Sequence, residues 1–321
     1  MNAGRAGGVG LCLWTLALLL TPFVRPAAAG EAFVTDQPGE QVVIVDTASM
    51  AELAAIPVGG EPAGIAVSAD GRRAYVTSPE GKMLTVIDAG QRKVLRQIKL
   101  EGGPLGVAVH PSGHPVYVAD WYSKRLLALD PEDSAQPRTA SVGSSPSGVA
   151  VTPDGAFVLT ADRDDNAVSV VDAATLARVA VIPVGTRPFG ITVDLDGQRA
   201  YVANVGSNTV SIIDLAARKV TGTVKVGLRP YAVALARGKA FVTNQYGNSV
   251  TVFDTATLQL LKTIAVGDYP EGIASSRDGG HVFVASWFAN TLSMIDVETL
   301  KVVKEVKVGD GPRAFGQFIR E

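Results

Sequence analysis

The residue types best suited to holding another molecule recur at a few related places in this chain. Trp121 and Trp287 occupy one repeat position, where the other repeats carry Gln37, Pro79, Arg163, Val205 and Gln245. Tyr122 and Phe288 directly follow the two tryptophans, Tyr246 follows Gln245, and Phe189, Tyr231 and Arg313 each follow a recurrent proline. Exposed Trp, Tyr and Arg are the side chains that anchor binding interfaces, because they combine a large apolar area with hydrogen-bonding capacity. Arg187 and Arg229 each precede that proline in adjacent repeats, so their guanidinium groups are expected near one mouth, where they could hold a carboxylate or phosphate. Pairing with Asp162 or Asp120 is the competing use of the same cations. Filling of a central channel is the competing use of the aromatics.

Catalytic signals are weaker. The chain has no G-x-S-x-G, H-E-x-x-H or C-x-x-C, and no G-x-G-x-x-G in a βαβ setting. His110 and His114 flank one hairpin turn and His281 begins a second strand, which puts all three histidines on the face away from the aromatic arc. A haem ligand or a histidine-activated nucleophile on the arc is therefore not expected. Should the protein be an enzyme, Asp120, Asp162 and Glu271 are the acids placed to move protons. Asp162, Asp164 and Asn166 faintly resemble a calcium loop, but Ala167 stands where glycine is required and no glutamate follows at the right spacing, so no metal site is expected. Asp46, Asp88, Asp130, Asp172, Asp214, Asp254 and Asp296 form a regular series at third-strand ends, where a carboxylate accepts turn N–H groups.

The elements that must position these residues are best seen in residues 187–227. ITV, AYVAN, TVSIID and VTGTVKVG are β-branched and aromatic runs of strand length, separated by turn residues in DLDGQ, VGSN and LAARK. Alignment on Pro62, Pro104, Pro146, Pro188, Pro230 and Pro270 gives units 61–102, 103–144, 145–186, 187–228, 229–268 and 269–310, five of 42 residues and one of 40. A period near 42 with four strands per period predicts a β-propeller, one antiparallel meander per blade. Residues 31–60 supply three strands without a first, and 311–321 supply a first strand beginning at Pro312 without successors. Pairing these ends predicts an all-β, seven-bladed ring closed by the C-terminal strand on the N-terminal blade, leaving no unpartnered blade. The prolines fit the innermost strand, whose free edge needs no N–H. Loops after the second and fourth strands share one face, here the top, which carries the arc of aromatics and arginines.

Residues 1–29 read as a secretory signal peptide. Arg5 opens it, an apolar run spans 9–20, and Ala27, Ala28 and Ala29 offer a cleavage site. Pro22, Arg25 and Pro26 interrupt the run before the roughly 20 residues needed to span a bilayer, so no membrane span is expected after cleavage. The remaining single domain, 30–321, has no cysteine, because Cys12 lies in the leader. The leader holds two of the 29 basic residues and none of the 31 acidic ones, which leaves a net charge of about −4 and no nucleic-acid footprint. A monomer in the periplasm or outside the cell is expected.

The strands YVTS at 75–78, YVAD at 117–120, YVAN at 201–204 and FVTN at 241–244 resemble the YVTN β-propeller repeat family. The resemblance covers the whole mature chain and is closest to secreted seven-bladed members, some of which accompany quinone-dependent periplasmic dehydrogenases. Such propellers include binding proteins, dehydrogenase subunits, haem-carrying domains and lactone-cleaving enzymes, so fold alone does not choose among them. The expectation is a non-catalytic binding or scaffold protein whose top face takes a protein partner or a small anionic ligand, with no cofactor. A catalytic or quinone-binding subunit using the channel mouth is the first alternative, and a cell-surface structural protein the second.

Overall fold

A computed structural model describes residues 1–4, 7, 30–133 and 136–321. The expected leader falls outside the described residues except for 1–4 and 7. Among the described residues no helix is long and apolar enough to cross a membrane.

The chain forms seven sheets arranged as blades, each with four strands in antiparallel succession. In the blade of residues 187–228 the strands are Pro188–Val193, Arg199–Asn204, Thr209–Asp214 and Lys219–Lys225, ordered from the channel outward. Pro188 pairs with Asn204, but Ile191 pairs with Val202, so one extra residue is bulged into the inner strand just after the proline. The same shift follows Pro104, Pro146, Pro230 and Pro270. A bulge re-aims side chains. Here it lets Phe189, Tyr231 and Glu271 face the channel, while Gly190 and Gly272, which follow two of them, approach the next blade. A Cβ on Gly190 would lie 2.5 Å from the Tyr231 carbonyl oxygen, so only a bare Cα lets adjacent inner strands pack this closely.

The ring closes as the sequence predicts. Pro312 bridges to Asp36, the Arg313 N–H donates to the Thr35 carbonyl at 2.8 Å, and Ile319 and Arg320 pair antiparallel with Ala32 and Glu31. The closing segment nevertheless differs from a plain first strand. Seven steps separate Pro312 from Ile319 against four from Asp36 back to Ala32, and the surplus carries Phe315–Gln317 across to pair in parallel with Gly64–Val67 of the next blade. This segment therefore belongs to two sheets. On the bottom face Glu31 accepts from both Arg320 and Arg92 at 2.6 Å, which ties the C-terminus down.

Packing between blades supplies the core. Phe33, Phe241, Phe253, Phe283, Tyr117 and Tyr201 are fully buried, and burial of each such side chain contributes roughly 1.5–3 kcal/mol. Four asparagines add polar latches. The side-chain oxygens of Asn166, Asn208, Asn248 and Asn290 accept the N–H of Arg187, Arg229, Tyr269 and Gly311, each in the following blade. The third-strand aspartates cap turns as their series suggested: Asp254 accepts the Thr257 N–H at 2.7 Å and Asp296 that of Thr299 at 2.7 Å.

Candidate ligand pocket on the top face

The top face holds a pocket of about 350 Å³. Two repeat positions build most of it. The residue after the inner-strand proline contributes Phe189, Tyr231 and Glu271, where the bulge follows the proline, and Arg313 on the closing segment. The slot after the second strand contributes Trp121, Trp287, Arg163, Gln37 and Gln245. Arg229 and Tyr269, which precede their prolines with φ of 55° and 62°, complete the wall.

The floor is aromatic. The Phe189 ring lies 4.3 Å from Tyr231 and 5.0 Å from Phe315, and Tyr231 and Phe315 meet edge to face at 5.6 Å. Phe315 reaches this cluster because the closing segment crosses between blades. Trp121 joins at 6.1 Å from Phe189.

A polar chain runs beside that floor. Arg313 donates through Nη2 to the Tyr231 hydroxyl at 2.6 Å and through Nη1 to Gln37 Oε1 at 3.2 Å. Its Nε lies 2.9 Å from Glu271 Oε2, close enough for an ion pair although the N–H is not aimed along the hydrogen-bonding direction. Gln245 Nε2 donates to Glu271 Oε1. Burial pushes the Tyr231 phenol well above its ordinary value, with Arg313 opposing and Glu271 reinforcing the shift. Burial alone would lower Arg313, but Tyr231 and Glu271 raise it, so it remains a cation.

Besides the facing Glu271 Oε2 and Arg313 Nε, three polar atoms of the wall have no hydrogen-bond partner and are sealed from water: Gln245 Oε1, Arg229 Nε and Trp287 Nε1. The orientation of the Gln245 amide follows from chemistry. A carboxylate can only accept, so the NH2 group must face Glu271 and the carbonyl oxygen is left over.

Aromatic contacts continue along the rim. Arg229 lies over the Tyr246 ring at 4.6 Å and donates to its hydroxyl at 3.0 Å. Tyr269 stands 5.6 Å from Tyr246, 4.6 Å from Phe288 and 5.8 Å from Trp287. Across the mouth Arg163 sits 5.5 Å from the Trp121 ring centre and pairs with Asp164 at 2.6 Å.

Of the residues singled out from sequence, Trp121, Phe189, Arg229, Tyr231, Trp287 and Arg313 line the pocket. Tyr246 and Phe288 stand on its rim, 56% and 64% exposed. Tyr122 and Arg187 do not line it. Tyr122 is exposed and its ring edge covers Gly103, and Arg187 is exposed with its backbone N–H held by Asn166. The expected clamp of Arg187 with Arg229 is therefore not assembled here, and the cations brought together are Arg163, Arg229 and Arg313. Among the three candidate acids only Glu271 reaches the pocket. Asp120 is buried in its sheet against Arg125 at 2.8 Å; burial raises its carboxyl, but Arg125 and the Gly103 N–H outweigh that and hold it low. Asp162 is buried beneath the hydroxyls of Ser169 and Thr160. Gln37, Arg163, Gln245 and Tyr269 line the pocket without having been singled out as site residues; the signal for the first three is the tryptophan slot they share, and for Tyr269 the place before the inner-strand proline that Arg229 also holds.

The family profile described as YNCE-like beta-propeller matches residues 29–114 and 233–318, more than half of the chain, and that described as Lactonase, 7-bladed beta-propeller matches 128–236. No curated protein matches the chain. Among solved structures, hydrazine synthase of Kuenenia stuttgartiensis is similar with a TM-score of 0.72 at 20% identity, over 79% of this chain and 89% of that one. A functionally unknown protein from Desulfotomaculum acetoxidans has a TM-score of 0.76 at 18% identity, over 90% of this chain and all (100%) of that one. The dihydro-heme d1 dehydrogenase NirN has a TM-score of 0.64 at 19% identity, over 90% of this chain and 66% of that one. At such identities the shared property is the fold.

Proposed function

We propose, for a chain that belongs to the YNCE-like β-propeller family, that it is a non-catalytic binding protein of the periplasm or cell exterior that holds a small ligand in its top-face pocket. The observation that carries this reading is the set of sealed polar atoms, Gln245 Oε1, Arg229 Nε and Trp287 Nε1, gathered on one pocket wall. A buried polar group without a partner costs about 1–3 kcal/mol, so three around one cavity are best accounted for by a molecule that satisfies them. Catalysis is less well supported. Glu271, the one carboxylate lining the pocket, has one oxygen accepting from Gln245 and the other paired with Arg313, which leaves it poorly placed to take a proton from a substrate.

Similarity to hydrazine synthase and to NirN transfers the ring and not their chemistry. Among the described residues no His, Cys or Met lines this pocket, so the side chains that most often ligate haem iron are not among those on its wall. An accessory place beside a quinone-dependent periplasmic dehydrogenase is the setting that the YVTN-type strands suggest for a protein of this kind.

The test uses the two tryptophans that remain beyond the leader, Trp121 and Trp287, both on the pocket wall. Native mass spectrometry of protein taken from its own compartment should reveal a bound small molecule, and returning that molecule to stripped protein should shift tryptophan emission. The double substitution Arg229→Gln with Trp287→Phe should weaken binding at least tenfold while the fold persists. Undiminished binding by the double variant, or turnover of lactones or quinol donors by the wild-type protein, would overturn the proposal.

A further inference from the structure

We infer that the ligand of this pocket is a planar heteroaromatic carboxylate that carries an N–H or O–H donor on its edge. The inference rests on the binding reading above and adds the chemical class.

Charge is the first reason. The wall brings Arg163, Arg229 and Arg313 against one carboxylate, Glu271, in a chain whose net charge is −2. Arg313 is neutralised by Glu271 and Arg163 by Asp164, whereas among the described residues the side-chain hydrogen-bond partner of Arg229 is the neutral Tyr246. An anion entering beside Arg229 meets the one cation of the wall not already matched by a carboxylate.

Shape is the second reason. Phe189 and Tyr231 form a buried aromatic floor with the half-buried indoles of Trp121 and Trp287 beside it, and about 350 Å³ is at the small end of the roughly 300–1,000 Å³ found for small-molecule sites. Offset or edge contacts to such rings favour a flat aromatic body over a branched or hydrated one.

The third reason sets the edge chemistry. Arg229 Nε and Trp287 Nε1 are two donors without acceptors, and a carboxylate oxygen beside Arg229 would satisfy the first. Gln245 Oε1 is an acceptor without a donor, and the residue is only 2% exposed. A plain carboxylate or phosphate has nothing to give it, so the ligand must bring its own donor. In the present arrangement all three atoms are covered. Arg229 and Trp287 are half-buried side chains of the pocket lining, so a ligand reaches these atoms only where those side chains shift.

The experiment is calorimetric titration of ligand-stripped protein with four probes: indole-2-carboxylate, benzofuran-2-carboxylate, indole and acetate. Indole-2-carboxylate, which has plane, anion and donor, should bind best. Benzofuran-2-carboxylate lacks only the donor and should bind about 5- to 150-fold more weakly, the range for one unmatched buried polar group. Indole and acetate should bind more weakly still. Gln245→Met should erase the preference between the two acids, and Arg229→Lys, which keeps the charge but removes Nε, should weaken both by about tenfold. Equal binding of the two acids to the wild-type protein, or of indole and its carboxylate, overturns the inference. So does failure of all four probes at millimolar concentration. That last result leaves the binding reading to the mass spectrometry, where a ligand of another class would sustain it and lactone or quinol turnover would sink both.

Discussion

Arg313→Met tests whether the polar chain beside the pocket also holds the ring shut. Arg313 stands on the closing strand, yet its guanidinium reaches Gln37 in the N-terminal blade, Tyr231 in the blade of residues 229–268 and Glu271 in the blade of 269–310. Methionine preserves bulk and removes all three contacts. The greatest loss falls on Glu271, which is 5% exposed and would be left without its cation. Breaking one side of a buried pair costs about 3–5 kcal/mol, and because the Arg313 side chain keeps 20% of its surface in solvent the lower end applies. The lost bonds to the Tyr231 hydroxyl and Gln37 add about 0.5–1.5 kcal/mol each in the general case, less if water replaces them. A total of about 4–6 kcal/mol follows, nearer 3 where water replaces both lost bonds. Glu271→Gln in the same background removes the orphaned charge, so the double variant should recover about 2 kcal/mol of that loss. Urea unfolding followed by both tryptophan emission and circular dichroism measures this, with coincident curves required for a two-state reading. Destabilisation below about 1 kcal/mol, or a double variant no more stable than Arg313→Met alone, refutes the assignment of Arg313 as an ionic clasp.

Two further outcomes follow from single residues. Burial holds the Asp162 carboxyl above its ordinary value, against the pull of Ser169 and Thr160, so its contribution is full below the ordinary carboxylate range and lost as pH rises through the raised value. Asp162→Asn should lack that loss, and its stability relative to wild type in urea unfolding should therefore improve from acid toward neutral pH; a pH-independent difference counts against it. Asp254 and Asp296 run the other way, since turn hydrogen bonds from Thr257 and Thr299 lower them and their contribution fades on acidification, but they are common to both proteins and cancel. Gly311→Ala should destabilise by roughly 2 kcal/mol, combining about 1–2 kcal/mol for a left-handed residue at φ 67° with a Cβ only 2.5 Å from Trp287 Nε1. Displacement of that indole should also move the emission maximum, and an unchanged spectrum in a folded variant would show that Trp287 is not held there.

The architecture was legible because it is written seven times. Proline, turn, second strand and terminal aspartate recur at a near-constant period, and any one blade that broke a rule was outvoted by the rest. What occurs once was illegible. The crossing of Phe315–Gln317 depends on a surplus of residues in the closing segment, visible only when its register against Ala32–Asp36 is known. The inner-strand bulge was likewise hidden, although it follows the prolines that precede Phe189, Tyr231 and Glu271.

Arg187 and Arg229 show why site residues are harder to find than folds. Both precede an inner-strand proline, both adopt φ near 55°, and both have the N–H held by an asparagine of the preceding blade. Their local sequence is the same, yet Arg229 lines the pocket and Arg187 does not. The difference lies across the sheet. In the blade of Arg229, Tyr246 occupies the second place after the second strand and supplies a ring 4.6 Å from the guanidinium and a hydroxyl acceptor. In the blade of Arg187 that place is Gly206, which offers neither. A long cation is positioned by what it can rest on, so the informative unit is the pair of residues from two strands, Arg229 with Tyr246 and Tyr269 with Phe288. Gln245 follows the same logic: it reads as an ordinary polar loop residue until the register sets it against Glu271, and only then is its carbonyl oxygen left without a donor.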